Sequence, residues 1–171
     1  IGRLFLEKGL AEEAKKEFQV ILKTDPNHAL AYEGMGWASF KLGEFEKAEK
    51  NLRQAIQLNA GLWQTHHLLG IIYDHQRRFE DAIIQYKKAI ALKPKESSLF
   101  NNLGVSFLLK GEYEEAITSF TEALKIEANN DKVYNNLALA LCKLGRYPEA
   151  LEVFKKGGNE ASAYNNLGCI Y

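Results

Sequence analysis

The chain has 171 residues, 46% of them hydrophobic and 26% charged, with 22 basic side chains against 22 acidic ones. No long run of one sign occurs, so the sequence lacks the cationic field that nucleic acid or an anionic membrane rewards, and neither is expected as a partner. No apolar run reaches the roughly 18–20 residues a membrane-spanning helix needs, and Cys142 and Cys169 stand apart, so no disulfide framework or zinc site is implied.

In chain order, Ile1, Gly2 and Phe5 have the spacing of a helix in progress, Gly9 marks a turn, and Ala14 with Phe18 begin the stripe of a second helix that Pro26 closes. The next pair reads Tyr32, Met35 and Gly36, a turn at Gly43, then Ala48, Leu52 and Ala55. A third reads Trp63, Leu69, Gly70 and Tyr73, a turn at Arg77, then Ala82, Tyr86 and Ala89, closed by Pro94. A fourth runs from Phe100, Leu103, Gly104 and Phe107 through Gly111 to Ala116, Phe120 and Ala123. The fifth has Tyr134, Leu137, Ala138 and Leu141, a turn at Gly145, and Ala150 with Phe154; Pro148 sits where a helix starts and needs no amide donor. Tyr164, Leu167, Gly168 and Tyr171 begin another first helix.

The turn residues Gly9, Gly43, Arg77, Gly111 and Gly145 are 34 apart each time. Gly2, Gly36, Gly70 and Gly104 recur inside first helices, where glycine costs roughly 1 kcal/mol, so a close approach of the paired helix is expected there, with the alanine of the second helix facing the glycine. One interval breaks the rule: Tyr164 follows Tyr134 by 30 residues, and Gly157 and Gly158 interrupt the pattern. The second helix of that copy is expected to stop near Lys156, with the glycine pair at positive φ and a change of curvature between Pro148 and Ala163.

This period and residue pattern resembles the tetratricopeptide repeat over essentially the whole chain. The resemblance implies an all-α fold, a right-handed α-α superhelix (solenoid) of antiparallel helix pairs. The expected organisation is a single array over 1–171: a partial repeat 1–28, repeats 29–62, 63–96 and 97–130, a shortened repeat 131–160 and a partial repeat 161–171. Both ends fall mid-helix, so a piece of a longer protein is expected, with any targeting signal outside it; the compartment stays open, leaning to the cytoplasm.

The resemblance also implies that first helices line a concave surface holding extended peptides. Carried over by register, that surface includes Trp37 and Phe40, His67 and Ile71, Asn101, Asn102 and Val105, and Lys132, Asn135, Asn136 and Leu139. Glu33, Gly34 and Leu68 fall in the same set. The most informative feature is NNLG at 101–104, NNLA at 135–138 and NNLG at 165–168. A side-chain amide both donates and accepts, so a row of them can bond the main chain of an extended ligand whatever its sequence. The arrangement resembles the asparagine ladder of O-linked N-acetylglucosamine transferases and kinesin light chains, with Asn102, Asn136 and Asn166 as rungs. The other reading is that these amides bond within or between repeats. A carboxylate clamp for acidic tails is not expected, since only Lys132 of its cationic set is present.

No catalytic, cofactor or metal site is expected. His67 and His75, eight residues apart, lie about 12 Å apart along a helix and cannot share one zinc ion. The function expected is that of a protein-interaction scaffold. Two further readings are a substrate-recruiting arm of a larger enzyme such as a glycosyltransferase, and a self-assembling structural or pilus-biogenesis component using open solenoid ends.

Overall fold

A computed structural model describes residues 1–157, and all regular structure among them is α-helical. Ten helices follow one another: α1 (Gly2–Glu7), α2 (Ala11–Thr24), α3 (Ala29–Lys41), α4 (Phe45–Leu58), α5 (Trp63–His75), α6 (Phe79–Leu92), α7 (Ser97–Lys110), α8 (Tyr113–Ile126), α9 (Asp131–Lys143) and α10 (Tyr147–Lys156). They form two compact units, one of Ile1–Arg78 with α1 to α5, the other beginning at Phe79 with α6 to α10.

The turn inside each helix pair explains the 34-residue mark. Gly9, Gly43, Gly111 and Gly145 have φ of 77°, 75°, 93° and 74°, the left-handed region in which a Cβ is strained. The next residue then returns its amide to a carbonyl five positions back: Glu44 to Ser39 at 2.9 Å, Glu112 to Phe107 at 2.9 Å, Arg146 to Leu141 at 3.0 Å. This closes the helix and caps one of its last carbonyls. Arg77 takes the same conformation, φ 59°, and Arg78 makes the same bond to Tyr73 at 2.8 Å. Arginine therefore stands in a glycine's backbone state.

Gly2, Gly36 and Gly104 inside first helices are closely covered by the paired helix, as expected. A Cβ on Gly104 would meet the Phe120 ring at 2.6 Å, one on Gly2 the Phe18 ring at 2.7 Å, and one on Gly36 would overlap Leu52. At these three glycines the bulky side chain four residues after the alanine lies nearest, and at Gly36 the Ala48 carbonyl would also be 3.5 Å from the added Cβ. Ala48 and Ala116 are fully buried. Small residues on both helices let the ring or Leu side chain fill the seam.

In the first unit, Phe18 is central: it lies over Gly2 and also over Gly34 of α3, joining α1, α2 and α3 around Ala14, Ala31, Met35 and Ala38. Lys15 Nζ donates to Glu44 Oε2 at 2.6 Å and ties α2 to the start of α4; Lys15 and Lys47 together hold the Glu44 carboxyl down at about 2. Tyr73 is 2% exposed, its hydroxyl bonded to Glu49 at 3.1 Å and Arg53 at 3.0 Å and its ring under the Arg78 guanidinium at 4.2 Å. Burial, then the Glu49 charge, pushes the Tyr73 phenol up.

In the second unit, Phe120 and Phe154 are fully enclosed, as are Leu99 of α7 and Val133 of α9. Helix α10 stops at Lys156 after 10 residues, against 14 in α4, α6 and α8, as the glycine pair implied. The expected reason is corrected for Gly157. Its φ is −77°, not positive, and a Cβ there would meet Tyr134 Cβ at 2.8 Å. Close approach to α9, not a left-handed turn, selects glycine. Gly158, the segment up to Ala163 and the expected change of curvature lie outside the described residues.

Two substitutions test this account in urea unfolding. Arg77→Gly removes a left-handed strain of about 1–2 kcal/mol against a smaller gain in unfolded-chain entropy, so stability rises by about 0.5–1 kcal/mol. Gly104→Val forces atoms into the Phe120 ring, and stability falls by about 1–3 kcal/mol.

Candidate functional site

The first helices of each unit lie side by side. In the first unit α3 touches both α1 and α5, and in the second α7 touches α9. That contact gives each unit a face built only of first-helix residues, where the repeat resemblance expects a ligand.

In the first unit this face contains a cleft of about 390 Å³ lined by Arg3, Leu6 and Glu7 of α1, Glu33, Gly34, Trp37 and Lys41 of α3, and Gln64 of α5. Trp37 is half-buried and meets Phe40 edge-on, with ring centroids 6.3 Å apart. Phe40 in turn lies 6.2 Å from His75, which stacks on Phe45 at 5.5 Å. His67 stacks on Trp63 at 6.4 Å, and Ile71 is half-buried one turn further along α5. Both histidines are thus set against aromatic rings, on opposite ends of α5.

Glu33 forms the floor. It is 4% exposed, accepts from the buried Thr65 hydroxyl at 2.7 Å, and its second oxygen accepts from Arg3 Nη2 at 3.1 Å. Arg3 is largely exposed and contributes little to stability through that pair. The buried Glu33–Thr65 bond matters more, because a carboxylate inside a dry seam needs a donor. Glu33 and Gly34 are therefore seam residues that reach the cleft only at its base, and Leu68, also expected on the inner surface, is fully buried.

In the second unit Asn101, Asn102 and Asn136 bond to one another, while the Asn135 Oδ1 is buried without a partner among the described residues. Asn136 Nδ2 of α9 donates to Asn101 Oδ1 of α7 at 2.9 Å, and Asn101 Nδ2 donates to Asn102 Oδ1 at 3.3 Å. Asn101 is 6% exposed, while Asn102, Asn135 and Asn136 are partly exposed, Val105 is half-buried, and Lys132 and Leu139 are open to solvent. The buried amide bridges two repeats and fixes the two more exposed ones beside it. Asn166 lies outside the described residues, as do Asn165 and Cys169. Cys142 is half-buried, and burial pushes its thiol up, away from a reactive thiolate.

The structure thus joins Trp37 with Phe40, and Asn101 with Asn102 and Asn136, each set within one unit. Sequence reasoning passed over Arg3, Leu6 and Glu7. The signal was present, since these are the residues 34 before Trp37, Phe40 and Lys41. It passed over Thr65 for a different reason: the Glu33–Thr65 spacing is 32 and does not follow the period.

A family model described as the cilia and flagella-associated protein 70 C-terminal domain matches residues 1–167. Human cilia- and flagella-associated protein 70 is 33% identical over 102 residues, 58% of this chain and 9% of that protein. Human protein O-mannosyl-transferase TMTC1 is 27% identical over 96 residues, 56% of this chain and 11% of that protein. The matched stretches make up about a tenth of the length of these relatives. Among solved structures, the crystal structure of MamA has a TM-score of 0.86 over 97% of each chain at 23% identity. That likeness shows the fold, the all-α helix-pair repeat expected from the period.

The role of Glu33 is open to a two-variant test by thermal and urea unfolding. Glu33→Gln keeps an acceptor for Thr65 and stays within about 1 kcal/mol of the parent, whereas Glu33→Ala strands the buried hydroxyl and loses about 1–3 kcal/mol.

Proposed function

The chain belongs to the family of the cilia and flagella-associated protein 70 C-terminal domain, a tetratricopeptide-type repeat, and from that premise we propose that it is a protein-interaction module that holds an extended peptide segment on its first-helix faces. The observation that supports this is the cleft across α1, α3 and α5. Its wall is the half-buried Trp37, its rim carries Arg3, Lys41 and Glu7, and its base is a carboxylate already bonded to Thr65. A pocket of that kind accepts one apolar side chain over the indole and orients it through the charged rim. It offers no reactive group.

In the second unit Asn102 and Asn136 would serve the ligand's main chain. The buried Asn101 amide holds both in place before any ligand arrives, so less ordering entropy is lost on binding. Val105 and Leu139 supply apolar contact between them. Asn135, His67, Ile71 and Lys132 complete the proposed surface, and Asn166 would extend it. The family's association with cilia and flagella supports a protein of that apparatus as the partner.

A second reading has one observation in its favour. A relative named as a protein O-mannosyl-transferase shares this stretch as about a tenth of its length. The chain would then be a recruiting arm of a larger enzyme, and the same cleft would hold the substrate.

The test is a selection of linear peptides from a random displayed library, with affinities measured by fluorescence anisotropy. Trp37→Ala is expected to weaken selected peptides roughly 30-fold, about 2 kcal/mol. Asn102→Ala with Asn136→Ala is expected to weaken them roughly tenfold, at about 0.5–1.5 kcal/mol per bond. Peptides that bind a folded Trp37→Ala variant as tightly as the parent would remove the cleft from the account.

A further inference from the structure

The second unit has another cleft, on the face of α7 away from its asparagines. Phe100, Leu103 and Phe107 fall at i, i+3 and i+7 on α7; at about 100° per residue they point opposite to Asn102 and Val105. Around them lies a cleft of about 390 Å³, with Lys87 of α6 on one side and α8 on the other. The α7 residues form an apolar floor roughly 10 Å long, two helical turns.

The α8 wall is acidic. Glu114, Glu115 and Glu122 line the cleft with Thr118 and Ser119 between them. Both hydroxyls are turned back onto their own helix, Thr118 Oγ1 to the Glu114 carbonyl at 3.0 Å and Ser119 Oγ to the Glu115 carbonyl at 2.8 Å. The polarity of the wall therefore resides in its carboxylates. Glu122 is paired with Lys125 at 2.6 Å, whereas Glu114 and Glu115 are exposed and form no ion pair within 4 Å among the described residues, Glu114 feeling only the more distant Arg146 charge. The opposite wall has the reverse sign: the Lys87 ammonium sits 5.6 Å over the Phe107 ring.

We propose that this cleft docks a basic amphipathic helix of a partner protein, with apolar side chains on the floor formed by Phe100, Leu103 and Phe107 and Lys or Arg side chains against Glu114 and Glu115. Charge complementarity selects the basic flank. The backbone selects the helix: α6, α7 and α8 satisfy their own amides and carbonyls internally, so an extended strand would find no main-chain partners, whereas a helix brings its own. Two turns of floor suit anchors spaced i and i+3 or i+4. The Lys87 side fixes polarity, since a basic residue there is repelled.

The test uses a fluorescein-labelled synthetic peptide of about 18 residues, Leu on one helical face and Lys on the other, and its counterpart with Glu in place of Lys. Anisotropy is measured with the full chain at low and high salt, and circular dichroism checks each variant. The Lys peptide is expected to bind in a salt-sensitive way and the Glu peptide not at all. Glu114→Lys with Glu115→Lys should weaken binding about tenfold or more. Thr118→Trp, which fills the cleft without changing charge, should weaken it about tenfold. Glu12→Lys with Glu13→Lys, the same change of charge on exposed sites of α2, should leave it within about twofold. Trp37→Ala should also leave it unchanged, which separates this cleft from the one proposed for extended peptides. Failure of the Lys peptide to bind, equal weakening by the α2 variant, indifference to Thr118→Trp or loss on Trp37→Ala would each overturn the proposal.

Discussion

The seam between the helices of a pair is the constraint on which the rest depends. A ring or Leu side chain lies against the first-helix backbone where the residue beneath it has no Cβ, as at Gly104 under Phe120 and Gly36 under Leu52, while in the α9–α10 pair the small Ala138 takes the equivalent place. Once the pair is that close, the turn between its helices must reverse within about two residues, and a left-handed residue with its returned amide achieves this. The turn fixes the direction of the second helix, and the second helix then presents its outer side to the next first helix. Phe18 shows both contacts at once, over Gly2 of its own pair and Gly34 of the following one.

Polar atoms inside these seams follow a second rule: the same register position bonds forward to the next first helix, with chemistry that varies. Glu33 reaches Thr65 in the first unit, and Asn101 reaches Asn136 in the second. An apolar pair would hold two helices together but would tolerate sliding; a buried carboxylate or amide with one good partner does not. Each face of first helices is therefore ordered from beneath. Ser39, at another register position of α3, has a hydroxyl buried without a partner among the described residues.

Much of the fold was legible because it is periodic. The turn positions, the stripes of both helices and the early stop of α10 can all be read from spacings of 34 and 30. Arg77 shows the limit of that reading: the position was identified by its place in the period, but its left-handed backbone is evident only from its φ. Gly157 shows another. A glycine after a helix suggests positive φ, yet here it answers to Tyr134, a residue 23 positions away whose closeness no local pattern reports. The candidate site divides in the same way. Trp37 and the asparagines were found by register, while the Glu33–Thr65 bond runs between unlike positions of two copies. The floor of the second-unit cleft was read as plain core, because an apolar stripe does not reveal that Phe100 remains partly uncovered.

The shortened α10 has a consequence for how the chain comes apart. A stack of repeats behaves as a one-dimensional lattice in which each element is held by its own stability and by its neighbours. With four residues fewer than α8, α10 offers α9 about 6 Å less helix to lean on. Of the two helix pairs in the second unit, α9–α10 thus has the shorter seam. Amide protons there are expected to exchange before those of α7 and α8.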